Sequence, residues 1–176
     1  MAVTAEATAM RVPSEAEFDG ADFLEDEDLL TLYRDVVESY DRLRAVIDEH
    51  EIEVAVVWKR KGGSSAGLPV YGSCVKTGGL LRHFSERAFV IWLAADHIAE
   101  AHWSEEQVRR QVYHEARFIG WRAPNDTAED GEGRPIKLRP QLQVFFDEIS
   151  ETGAWDTFRK RVGAEFRQPT LFGAES

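Results

Sequence analysis

The sequence predicts an α+β domain: a mixed sheet of about three strands packed by an N-terminal helix, a helix carrying a His-Glu pair, and C-terminal helices. Three observations predict it. Apolar side chains recur at helical spacing over residues 26–50; residues 52–58 and 87–94 are short runs rich in β-branched and aromatic residues; and Ser104 opens a second long helical pattern. A chain of 176 residues with 43% hydrophobic content can bury one core.

Residues 1–22, mostly Ala, Thr, Ser, Glu and Asp, read as a mobile acidic tail. In the helix at 26–50, Leu29, Tyr33, Val36, Tyr40, Leu43 and Ile47 alternate steps of four and three and so share one stripe. Glu25, Asp26, Glu27 and Asp28 crowd its first turn, where carboxylates meet the positive end of the helix dipole. Ile52–Trp58 is a strand by its β-branched content, and KRKGGSSAGLP at 59–69 is a basic glycine-rich loop. That loop is not a phosphate-binding loop, because its lysines precede the glycines and no Gly-Lys-Ser/Thr opens a helix after it. Val70–Thr77 forms a second short strand, Gly78-Gly79 turns the chain, and Arg87–Ala94 is a buried strand.

A loop or short helix then holds Asp96, His97 and His102. Ser104-Glu105-Glu106-Gln107 is a capping box that starts a helix running to about Trp121. An acidic loop spans 124–133, a short strand 135–139, and Pro140 opens a helix that Gly153 would end. Trp155–Val162 is a last helical piece. The organisation expected is a tail at 1–22, one domain at 23–162 and a C-terminal tail at 163–176.

The charge is unevenly placed. Residues 1–54 hold 16 acids and 4 bases, a net of −12, whereas residues 55–176 hold 16 acids and 17 bases. General nucleic-acid binding is disfavoured, because phosphate contact needs a surplus of Lys and Arg. The single cysteine, Cys74, excludes an internal disulfide and any multi-cysteine zinc site, and it reads as a small buried thiol. The N-terminus lacks the basic start and apolar run of a signal peptide, and no stretch approaches the roughly 18 apolar residues of a spanning helix. The simplest home for such a chain is the cytoplasm.

The chemistry concentrates on the 104–121 helix. At 100° per residue, Val108, Val112, Glu115 and Ile119 fall in one sector, so a glutamate sits in the middle of the inward stripe. A buried carboxylate needs a cation, a metal-bound water or a set of donors beside it. The string His114-Glu115-Ala116-Arg117-Phe118 keeps the frame of the zinc-peptidase motif His-Glu-x-x-His with its last position changed. In the intact motif two histidines aim at one zinc ion, and the glutamate activates the bound water.

The order of elements, with RAFVIWLAADHIAEAHWSEEQVRRQVYHE and the later IKLRPQLQVFFDEISETGAW, resembles the phage metallopeptidase family, a zincin-like group found largely in phages and prophages. The resemblance covers about residues 26–156. It implies a small zincin-like domain, with the first ligand at His114 and the general base at Glu115. The family's second histidine falls on Phe118, and its later histidine near Gln141. Phenylalanine offers no lone pair and glutamine is a poor zinc ligand. The resemblance therefore implies a zincin-like protein whose zinc site is degraded and which works by binding another protein, of a kind the sequence does not name, with no cofactor unless the site still holds zinc.

Two other readings compete. An active zinc peptidase would need substitute ligands, with His97 and His102 as the available histidines. These are five residues apart, which suits neither face of a regular helix, and they read better as solvent-facing or capping residues. Alternatively, the acidic first 54 residues could imitate nucleic acid and occupy a host protein. Lys59, Arg60 and Lys61 read as a solvated basic hairpin tip, and Arg117 as a solvated arginine.

Overall fold

The structure, a computed structural model, describes residues 10–124 and 133–139. The expected helices after Pro140, the C-terminal tail and Gln141 lie outside these residues. The described part is α+β. Its main sheet has four strands rather than three: β1 (Phe23–Glu25), β2 (Val54–Lys59), β5 (Gly72–Lys76) and β6 (Phe89–Ala94), in the order β1-β2-β6-β5. The central pair β2–β6 is parallel, and β1 and β5 flank it antiparallel. Two small hairpins add β3 (Ser64–Ser65) with β4 (Leu68–Pro69), and β7 (Ile119–Arg122) with β8 (Arg134–Lys137).

The N-terminal stripe is buried as expected, but on two helices. α1 (Glu27–Ser39) and α2 (Asp41–Ile47) meet at Tyr40, whose backbone is extended at φ −122° and ψ 108°. Ser39 donates its hydroxyl back to the Asp35 carbonyl at 2.6 Å, a bond that competes with helix propagation. Tyr40 then stacks on Tyr113, with centroids 3.8 Å apart. Leu29, Tyr33, Val36, Leu43 and Ile47 all remain in the core. The Asp26 carboxylate caps the start of α1 by accepting from the Leu29 amide at 2.9 Å. Within the stretch read as a tail, Glu15–Phe18 forms a 3-10 turn whose Phe18 is buried.

Strand β2 has four consecutive buried residues, as befits a central strand covered on both faces. α1 packs on β2, and α5 (Glu105–Ala116) packs on α1, β5 and β6. Trp58, Phe89, Ile91, Leu93, Val108 and Val112 are fully enclosed between these layers. Side chains of this kind contribute roughly 1.5–3 kcal/mol each when buried.

The Gly78-Gly79 turn is instead the start of a short helix, α3 (Gly79–Ser85), inserted between the paired strands β5 and β6. α4 (Ala95–Glu100) follows β6 directly and carries Asp96 and His97. No helix among the described residues is long and apolar enough to cross a membrane.

Candidate functional site

The Ser104 capping box forms as the spacing predicts. The Gln107 amide donates to the Ser104 hydroxyl at 3.3 Å, and the Ser104 amide donates to the Gln107 side chain at 2.9 Å. The helix it starts is shorter than expected. It ends at Ala116, with Arg117 as C-cap, and the chain turns into β7 at Ile119. Phe118 and Ile119 therefore lie beyond the last helical turn, and Ile119 is buried as expected but from β7 rather than from the helix. The turn is held by the Phe118 amide donating to the Glu115 carbonyl at 3.1 Å, and by the Leu138 amide donating to the Phe118 carbonyl at 2.7 Å.

His114 and Glu115 are both buried, at 6% and 4% exposure. The Glu115 carboxylate meets a donor from its own helix: the Gln111 amide nitrogen gives it a hydrogen bond at 2.6 Å. The spacing of four puts the two on one face, the partner arrangement that a buried carboxylate requires. β5 comes close here because residue 72 is glycine. A Cβ on Gly72 would stand 2.8 Å from Leu93 Cδ2 and 3.2 Å from Gln111 Nε2.

The His114 ring meets the Phe118 ring edge-on, centroids 5.3 Å apart and planes at 90°. A cation does reach position 118, but it is the Lys137 ammonium, 5.3 Å from the centre of the Phe118 ring. The same ammonium donates to the Cys74 carbonyl. Cys74 is the buried thiol expected, and burial first, then the charge of Glu115, push it up to about 12. Arg117 is not a solvated arginine. It is 1% exposed, donates to the Tyr113 hydroxyl at 3.0 Å and lies over the Tyr113 ring.

The histidines considered as substitute ligands are placed elsewhere and used structurally. His97 Nδ1 lies 3.1 Å from the Val70 carbonyl, and the ring packs edge-on to Tyr71. Its neighbour Asp96 accepts from the Gly62 and His97 amides, both at 2.8 Å, and so pins the glycine-rich loop to α4. His102 is exposed and has φ +50°. The His102 amide donates to Ala99 and the Trp103 amide to Ile98, which is the bond pair that closes a helix in a Schellman turn. Glycine is the usual residue at such a left-handed position. Replacing His102 with Gly is expected to raise stability by about 0.5–1 kcal/mol. A thermal melt checks this, and a lower midpoint would contradict it.

Among the described residues, no group of three or more His, Cys, Asp and Glu side chains converges on a point that could hold a metal ion. His114, His97 and His102 do not form one donor set, so these residues do not fit a zinc ion. The basic tip is also engaged: the Lys59 ammonium sits over Trp92 at 4.6 Å, Arg60 pairs with Asp22 at 3.0 Å, and Lys61 lies 3.9 Å from Glu15.

A cation cluster that the sequence reading did not identify lies elsewhere. Lys76, Arg82, Arg122 and Arg134 gather at one end of the sheet, close enough that the three guanidiniums, after burial, help to lower the Lys76 pKa. Beside them is a cleft of about 390 Å³ whose lining includes His50, Arg82, Trp121 and Arg134. Four stretches of chain supply those cations, so no local run of sequence announces the cluster. No protein family, curated protein or solved structure matches this chain.

Proposed function

We propose that the protein is a zincin-like, metallopeptidase-like domain of phage or prophage type with a degraded zinc site, and that it acts by binding another protein. The observation that carries this reading is the closed pairing around the motif: Gln111 donates to Glu115 while Phe118 faces His114. A general base must reach a substrate-bound or metal-bound water. Glu115 is instead enclosed among side chains, and the position of a second imidazole is filled by a ring that has no lone pair. Retention of His114 and Glu115 fits a framework inherited with its polar groups re-satisfied from within.

The catalytic reading loses support because the His97 ring is engaged by the Val70 carbonyl and Tyr71, and among the described residues no group of three or more metal-binding side chains includes His97 or His102. The mimicry reading loses support from the acids of the first 54 residues: Asp22 pairs with Arg60, Glu25 with Arg87, and Asp26 caps α1.

Metal content tests the proposal. Protein purified without chelator is expected to contain far less than one zinc per chain, with no change in His114→Ala. Near-stoichiometric zinc that disappears in His114→Ala would overturn it.

A further inference from the structure

We infer that α3 and the adjoining cleft form a docking surface for an acidic peptide segment that also carries apolar side chains. The inference rests on the protein-binding reading and specifies its surface and partner chemistry.

No residue of α3 is buried, although it contains three large apolar side chains. Leu80, Leu81 and Phe84 are 74%, 67% and 77% exposed. The helix interrupts β5 and β6, which pair directly and which a tight turn could have joined. Its apolar side chains thus add nothing to the core. Scattered exposed apolar residues are ordinary, but three on one short helix form a patch of the kind that marks an interaction site.

Arg82 lies on the same helix and lines the cleft, as does Arg134 of β8. One wall of the cleft is a fixed aromatic. Trp121 stacks on His50 with centroids 4.1 Å apart and planes 9° from parallel. On another side the Gly133 backbone approaches so closely that a Cβ there would fall within 3.0 Å of the indole. Nearby, the Lys76 ammonium donates to the Pro135 carbonyl at 2.6 Å.

Charge complementarity identifies the occupant. In a chain of net charge −11, Arg11, Arg44, Arg60, Arg87, Arg109 and Arg110 each have a carboxylate within 4.0 Å. Among the described residues, Arg82, Arg122 and Arg134 have none; Arg34 and Arg139 share that lack, but only the first three gather around one point, at Lys76. Arg82 and Arg134 line the cleft, with Arg122 and Lys76 close by, and together with the apolar knuckle they call for a ligand that supplies both carboxylates and apolar side chains. Glu51, Glu53 and Glu86 also line the cleft. A flat anionic bilayer or a phosphate backbone would set its charges against these three as well. A peptide can place its carboxylates selectively and insert an apolar side chain against Trp121.

The test uses the full chain and labelled synthetic peptides of about 12 residues, mixing Glu and Asp with Leu and Phe. Counterparts carry Gln and Asn in place of the acids, and phosphatidylserine vesicles form a third arm. Fluorescence anisotropy is expected to show saturable binding of the acidic peptides, weaker by about ten-fold or more for the amide counterparts. Phe84→Ser and Arg134→Gln are each expected to weaken binding by a similar factor with unchanged melting temperature, because both side chains are exposed. Equal binding of acidic and amide peptides, no binding of either, binding unaffected by both substitutions, or binding of vesicles alone would overturn the inference. Zinc is measured on the same preparation, so a metal-free chain that ignores the peptides overturns the docking surface while leaving the degraded-site reading standing.

Discussion

Raising the pH from 9.0 to about 12 is expected to cost the fold about 4 kcal/mol through Cys74 alone. In the unfolded chain the thiol ionises around its ordinary value of 9.0. In the folded chain burial, reinforced by the Glu115 charge, keeps it protonated up to about 12. Across that window the unfolded state binds fewer protons than the native one, so stability falls as pH rises. The contribution is complete below 9.0 and gone once the folded thiol ionises. Burial also raises the Tyr33 phenol above its ordinary 10.0, which adds to the loss at the alkaline end. Denaturant midpoints measured across this window should fall steeply for the native chain and with a shallower slope for Cys74→Ala. Identical slopes would show that the thiol is not the group responsible. The native thiol should also resist alkylation at mildly alkaline pH and react only as denaturant opens the core.

Gly62→Ala is expected to destabilise the protein by about 1–3 kcal/mol, the usual cost of forcing an extra methyl into a packed site. A Cβ at this position would lie closer than 3.0 Å to Cε1 and Nδ1 of His97, and 2.9 Å from the Ala94 Cβ. The imidazole has little room to yield, because its Nδ1 faces the Val70 carbonyl and its ring meets Tyr71. Relief therefore has to come from the loop, which would give up the Gly62 amide bond to Asp96. Limited proteolysis should then cut within 59–70 faster than in the parent chain. Gly63→Ala is the control: a Cβ there meets nothing within 4 Å, so both stability and cleavage should stay near parent values. Equal behaviour of the two variants would show that the loop is not latched through Gly62.

Elements with a strong local signal were legible in the sequence. The stripe from Leu29 to Ile47, the β-branched run of β2, the buried run of β6 and the Ser104 capping box each carry their own periodicity or end signal. The break at Tyr40 was hidden because both helices bury the same stripe. The stop after Ala116 was hidden because Ile119 continues the period of Val108, Val112 and Glu115, with no glycine or proline before Gly120. The turn expected at Gly78-Gly79 is the N-cap and first residue of α3, and the apolar residues that follow have no inward period to announce a helix. β1 is three residues long and gives no periodic signal.

At the site, the burial of Glu115 was legible from the helical angle. Its partner Gln111 was available to the same reasoning, since an i, i+4 pair shares a face. The burial of Arg117 and the gathering of Lys76, Arg82, Arg122 and Arg134 depend on tertiary placement, which no single stretch of sequence encodes.

The insertion of α3 between β5 and β6 also bears on the order of assembly. Lys76 opposite Phe89 closes a short loop, whereas Val54 opposite Phe89 on the parallel side closes a much longer one. Loop entropy favours the shorter closure, so the β5–β6 hairpin is placed to form before β2 docks against it. α3, none of whose residues is buried, lies within that first loop. Substitutions on α3 are therefore expected to leave the rate at which the sheet assembles near that of the parent chain, which stopped-flow refolding of Phe84→Ser would check.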